Sequence, residues 1–262
     1  MTSALIVILG ETRKDLLIFW TYKANLLTYV LTLGFGFVGI GFLIGGGTLD
    51  PGQLAPVLLG YLVWYYAMSL VSDISLGLRG EIDAGTLEQM SMSFVPIGVV
   101  LTGRILANLI TTTVQVFLIG GVLFLFLGIR IPLRWEGLPV LALTLLGVSG
   151  FGFMVAGGML VFKRFESFAN LIQNTLLFLN GSIVPVTAMP GWLAVTARTL
   201  PSTQGIVVLR EVVLDGQSLA SVWQGGSLMW LVVHSAIYLA IGWLVFTYCE
   251  RVAKEQGSLG QY

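Results

Sequence analysis

Residues 26–47 form 22 consecutive positions without a single charged side chain. At about 1.5 Å of rise per residue, a helix over that run covers the roughly 30 Å hydrocarbon core of a bilayer. Five more predominantly apolar runs follow, over 53–78, 97–128, 135–162, 167–186 and 222–248. Only 10% of the residues are charged and 56% are hydrophobic, with a mean hydropathy of +0.92, whereas a soluble domain carries about 25% charge. The pattern predicts an all-α polytopic membrane protein, one transmembrane domain over 1–262 with six spans. Net charge is zero and no block of like charge occurs, so nothing points to nucleic acid or to a polybasic lipid-binding tail. The single cysteine, Cys249, allows no internal disulfide, and no Cys/His cluster has metal-ligand spacing.

Between the second and third runs lies an island, Arg79 to Gln89, that carries Arg79, Glu81, Asp83 and Glu88. A charge at the bilayer centre costs about 2.5–3.5 kcal/mol on insertion scales, so four would cost on the order of 10 kcal/mol. The island belongs outside the hydrocarbon. Gly85 punctuates it, and Thr86 to Met90 are helix-compatible before Pro96, which predicts a short helix within a structured segment over 79–96. Near the start of the chain, Glu11 to Asn25 mixes Arg13, Lys14, Asp15 and Lys23 with Leu16, Leu17, Ile18, Phe19 and Trp20, a pattern that suits an interfacial helix within 1–25. Arg13 and Lys14 follow the first apolar run instead of preceding it, which argues against a removable signal peptide.

Residues 187–219 are too interrupted for a simple span and too apolar for a solvated loop, with Pro190-Gly191-Trp192, Leu200-Pro201-Ser202 and Arg210-Glu211. Short re-entrant or interfacial helices fit such a stretch, provided protein or water satisfies the backbone. In the fourth run, Gly147, Gly150, Gly152, Gly157 and Gly158 are small residues of the sort that let helices approach closely. Six spans put both termini on one side with Arg13, Lys14, Lys23, Arg79, Arg104, Lys163, Arg164, Arg251 and Lys254, nine cations against four (Arg130, Arg134, Arg198 and Arg210) on the other. The positive-inside rule then places the termini and the island in the cytoplasm, in a cell membrane.

Catalysis finds little support: no paired carboxylates, no Ser/His/Asp grouping and no zinc-binding helix occur in the spans, and no G-x-x-x-x-G-K-[ST] loop occurs anywhere. A secondary carrier would need an ionisable group at mid-membrane. Asp73 and Arg104 fall near cytoplasmic ends, where they can snorkel or cap, and His234 alone is deep. His234 is either functional or packed with a hydrogen bond to a neighbouring helix. Asn170, Gln173, Asn174 and Asn180 follow helical spacing and fall largely on one face. With Tyr61, Trp64 and Tyr65, the amides Asn170, Gln173 and Asn174 either line a substrate path or serve as packing and interhelical glue.

Glu81-x-x-x-Gly85-Thr86-Leu87-Glu88-Gln89, followed by Pro96 and a new span, resembles the cytoplasmic segment after the second span of ABC-2 type transporter permeases. Asn180-Gly181-Ser182-x-x-Pro185, Met189-Pro190-x-Trp192-Leu193, Leu200-Pro201 and Leu209-Arg210-x-x-x-Leu214-x-Gly216 are similar to that family's region between spans five and six. Ile82 departs from the pattern, since the family commonly shows a basic residue between the two acids. The resemblance implies a dimerising permease that docks on two cytosolic ATP-binding cassette subunits through a coupling helix, binds no cofactor itself, and leaves ATP and Mg to the partner. It implies partner contacts for Glu81, Glu88 and Gln89, with Gly85, Thr86 and Leu87 forming the seat. It also implies an extracellular gate around Pro185, Pro190, Trp192, Pro201 and Arg210, against the simpler reading of helices that only seal the bundle. The expected cargo is an amphipathic, drug-like or lipid-like compound moved outward. Glycan or glycolipid export, a self-sufficient carrier or channel, and a membrane scaffold are the alternatives.

Overall fold

The computed structural model describes residues 2–92, 95–132, 134–162 and 165–256, apart from the side chains of Thr2, Ser3, Lys23, Glu88, Ser91, Glu166 and Asn170. The described residues are helical nearly throughout, with no strand among them. Helix α1 (Thr2–Thr21) breaks at Tyr22 and continues as α2 (Lys23–Ile44). Helix α3 (Pro51–Asp83) starts where the Asp50 side chain accepts from the Gly52 amide and Pro51 occupies the first turn, a combination that satisfies one orphan donor and removes another. Gly85, at φ +68°, turns the chain into the short α4 (Leu87–Ser91). Helix α5 (Ile97–Leu127) runs from Pro96 to a left-handed Gly128, and α6 (Gly137–Val161) and α7 (Phe165–Leu179) follow. The short α8 (Gly191–Thr199), α9 (Thr203–Leu209) and α10 (Leu219–Gln224) precede the long α11 (Ser227–Glu255). A π-helical turn over Arg210–Leu214 separates α9 from α10.

Five of these helices, over Ala24–Ile44, Pro51–Asp83, Ile97–Leu127, Gly137–Val161 and Ser227–Glu255, are long and apolar enough to cross a bilayer. The fifth expected span is shorter than its 167–186 run. Helix α7 has 15 residues, about 22 Å, because Gly181 adopts φ +81° just beyond Asn180. The second run goes the other way: α3 has 33 residues and carries Arg79, Glu81 and Asp83 as its last turns, with Arg79 Nε 3.0 Å from Asp83 on the same face. Half of the charged island is therefore helix continuous with a span. The segment 187–219 holds α8, α9 and the π-helical turn.

Helix α3 is the central element, buried along most of its length and packed on α5, α6, α7 and α2. The closest interface joins α6 to α11. A Cβ on Gly242 would lie 1.9 Å from the Gly150 carbonyl oxygen, and one on Gly150 would lie 2.3 Å from that of Tyr238. Backbone meets backbone there, which only glycine allows. Contacts of Gly98 with Trp243 and Phe246, and of Gly157 with Phe246 and Cys249, put the start of α5, the end of α6 and the second half of α11 at one end of the bundle. Helix α1 lies at that end as well, against Gly103 of α5. The opposite end holds the 180–186 segment, α8, α9 and the π-helical turn.

Candidate functional site

At the α4 end, Arg104 on α5 is the centre of an ionic cluster. Its Nη2 donates to Glu81 Oε1 on α3, and its Nε lies 3.6 Å from Glu11 Oε2 on α1. The guanidinium also passes over α3 where Gly77 has no side chain, since a Cβ there would sit 3.3 Å from Nη1. The other Glu81 oxygen accepts from the Thr86 hydroxyl, which reaches back from the turn before α4. Lys14 pairs with Glu11 on the same helix, and burial pushes the neighbouring Asp15 carboxyl up, against the pull of Lys14. Thr12 Oγ1 bonds the Ile8 carbonyl at 2.8 Å and the Gly103 carbonyl at 3.3 Å, fixing α1 where α5 is bare. Three helices and the α4 turn thus meet on one cation.

This geometry refines the expected docking residues. Glu81 turns inward, with both oxygens engaged within the chain. Leu87 is also buried, in the main core cluster, where it roots α4 in the bundle. Gly85 and Gln89 are exposed and Thr86 is half-buried. The Glu88 side chain lies outside the described residues. Ile82, where a basic residue was expected, is buried against the core, so the chain there offers packing in place of charge.

At the opposite end, Gly60 of α3 allows the 180–186 segment to touch the helix: a Cβ would lie 2.7 Å from Ser182 Cα. Ser182 Oγ donates to the Gly60 carbonyl at 2.9 Å, the Ser182 amide to Asn180 Oδ1 at 2.9 Å, and Asn180 Nδ2 to Ser202 Oγ at 3.1 Å. Asn180, Ser182 and Ser202 are fully buried. Arg210 closes the knot, with Nη2 at 2.9 Å from the Pro56 carbonyl and 3.0 Å from that of Ser182, and Nε at 3.2 Å from Pro56. Of the other expected gate residues, Pro185, Pro190 and Trp192 are exposed, while Pro201 is buried between α8 and α9. Arg210→Met removes three charged hydrogen bonds from buried carbonyls and is expected to cost about 2–3 kcal/mol. A thermal-unfolding scan of the detergent-solubilised protein checks this, with Arg210→Lys recovering only part because one ammonium cannot span both carbonyls.

The profile of the ABC-2 type transporter family matches residues 10–214, and so covers both clusters. The chain belongs to the ABC-2 type transporter family. Its long apolar helices and this family make it a multi-pass membrane transport subunit. Over 77 residues it is 32% identical to "Nodulation protein J" of Rhizobium meliloti (strain 1021) and, to the same extent, to its namesake from Rhizobium leguminosarum bv. trifolii. These matches cover 29% of this chain and 29% of each relative.

Within the permease, the aromatic and amide candidates do not form one surface. Tyr61, Trp64 and Tyr65 are buried. Tyr61 donates to the Leu33 carbonyl at 3.1 Å, Trp64 Nε1 to the Gln173 carbonyl at 3.0 Å, and Tyr65 to Gln115 Oε1. With Tyr66–Thr113, Ser69–Thr112 and Asn108–Ser69, they make α3 the polar spine that α2, α5 and α7 grip. In this chain they bind helix to helix. Gln173 is buried toward α3 while Asn174 is exposed, so the expected single amide face splits, as adjacent residues on a helix must, about 100° apart. Asn180 is beyond the helix altogether, and the Asn170 side chain lies outside the described residues. Asp73 is exposed on α3. His234 is buried on α11 without a hydrogen-bond partner for either ring nitrogen. Arg104 neither snorkels nor caps alone: Glu11 and Glu81 reach it from other helices.

Proposed function

We propose that this chain is the permease half of an ATP-driven exporter, powered by cytosolic ATP-binding cassette subunits that seat on the α4 segment. The observation that carries the reading is the Arg104 cluster. A displacement of α4 by a partner is transmitted through Thr86 and Glu81 to α3, and through Arg104 to α5 and α1, without any slack solvent-exposed linker. Such transmission requires that the partner contact α4 differently in its two nucleotide states. Gln89, which is exposed, offers an outward polar contact, and Glu88 beside it in the chain is the second partner residue; Glu81 and Leu87 hold the seat from within. ATP and Mg are bound by the partner.

In this reading the chain crosses the membrane six times with both ends cytoplasmic. Helix α7 supports the sixth crossing because Phe165 packs at Gly158 of α6 and the 180–182 segment reaches Gly60 of α3 at the other end. Two copies form the transport path, with Leu171, Asn174 and Phe178 on the exposed face of α7 toward it. That face alternates apolar and amide groups, and so suits an amphipathic cargo, drug-like or lipid-like, moved outward. The 185–216 region forms the outer gate.

The test is co-purification with an ATP-binding cassette subunit encoded beside the permease. Glu88→Arg with Gln89→Arg is expected to lower complex formation and the permease-stimulated ATPase rate about tenfold, with permease stability unchanged. Transport by the lone chain on an ion gradient would overturn the proposal.

A further inference from the structure

We infer that the groove between α6, α8 and α11 seats one anionic phospholipid of the leaflet opposite α4, with its phosphate on Arg198 and one acyl chain running inward along α11. The groove encloses about 660 Å³. From Trp230 to Ile241 it follows α11 over about 16 Å, roughly the depth of one leaflet of a 30 Å core. Its outer end holds Trp230, half-exposed as aromatic residues at the headgroup level are, and Arg198 in the last turn of α8 lines the groove. Its inner end is apolar, walled by Phe151 and Met154 of α6.

Charge complementarity selects the ligand. The lining contains Arg198 and His234 and no carboxylate, and Arg198 makes no ion pair or hydrogen bond among the described residues. His234 lies nine-tenths buried in the wall with both ring nitrogens unsatisfied. The nearby Thr199 carbonyl accepts from the Tyr238 hydroxyl. An unpaired buried donor costs free energy unless a ligand satisfies it. A phosphate beside Arg198 supplies the acceptor, and an acyl chain fills the apolar length that water cannot. No residue of α4 or α7 lines the seat, although α6 and α8 both touch α7, so it stands whether or not the exporter reading does. Its bound lipid would brace α8 against α11, the two elements flanking the outer knot.

Native mass spectrometry of the full chain in detergent tests this, with phosphatidylglycerol and phosphatidylcholine supplied in parallel. The wild type is expected to retain one phosphatidylglycerol in preference to phosphatidylcholine. Arg198→Ala should lose about tenfold in retention, as removal of a charged hydrogen bond does, and Ile237→Trp, which fills the groove, should lose it without touching the cation. Arg130→Ala serves as a control on a different exposed cation, and thermal unfolding of each variant confirms folding. Equal retention by wild type and Arg198→Ala, or no preference for the anionic lipid, overturns the proposal. So does competition by glycerol phosphate at concentrations matching the lipid, since a site that reads phosphate alone needs no acyl groove.

Discussion

Gly242→Ala is expected to lower the unfolding temperature of the permease by on the order of 10 °C, and Gly242→Val to leave little folded protein. On helix propensity alone the alanine should help by about 1 kcal/mol. The contact reverses the sign. A Cβ at this position meets the Gly150 carbonyl oxygen at 1.9 Å and its carbonyl carbon at 2.6 Å, and neither backbone atom can swing aside as a side-chain tip would. Helices α6 and α11 must part along their whole interface, the most extensive in the chain. Overpacking costs about 1–3 kcal/mol even when side chains can adjust, and here about 3 kcal/mol or more is expected, set against a total stability of only about 5–15 kcal/mol. Gly121→Ala makes the same chemical change on α5, where nothing lies within 4 Å, and should leave the unfolding temperature unchanged or raised. Equal behaviour of the two variants would mean that α6 and α11 do not meet at Gly150.

The glycines of α6 were legible as contact points because small residues in an apolar run have few other uses, and Gly147, Gly150 and Gly157 all face α11. Gly242 offers no such pattern, because it stands alone in α11 with no second glycine at helical spacing. The charged island was legible from the cost of burying its charges, but that cost says only where charges cannot be, not which helix continues into them. Asp83 thus closes α3 instead of opening a loop. Helical spacing likewise set Gln173 and Asn174 on one helix and could not say that α3 would claim one and leave the other exposed. The largest gap is Arg104. Its partners stand 23 and 93 residues away in the chain, and a single sequence carries no sign of which acid will arrive beside a given cation. Arg210 was included for its motif, and its three bonds to the Pro56 and Ser182 carbonyls became visible only with the fold.

Arg104→Glu is expected to uncouple the permease from its ATP-binding cassette partner while leaving most of its fold intact. The substitution would place three carboxylates together, with Glu11 and Glu81 already there, in a pocket where the arginine side chain is only 12% exposed. Repulsion then separates α1 and the end of α3 from α5. Helix α1 keeps its anchor through Thr12 and Gly103, and the core of α3 is far from the change, so the unfolding temperature should fall by several degrees, matching about 2 kcal/mol, between the costs of breaking an exposed and a buried pair. The permease-stimulated ATPase rate should fall about tenfold or more, because the cluster is the one route of charge contact from α4 to α5 among the described residues. The discriminating variant is the exchange Arg104→Glu with Glu81→Arg. It restores an opposite-charge pair between α3 and α5 while leaving Glu11 and Thr86 in place, and should recover much of the coupling, as a double-mutant cycle requires of directly interacting residues. If the exchange couples no better than Arg104→Glu alone, Arg104 and Glu81 act separately and the movement of α4 reaches α5 by another path.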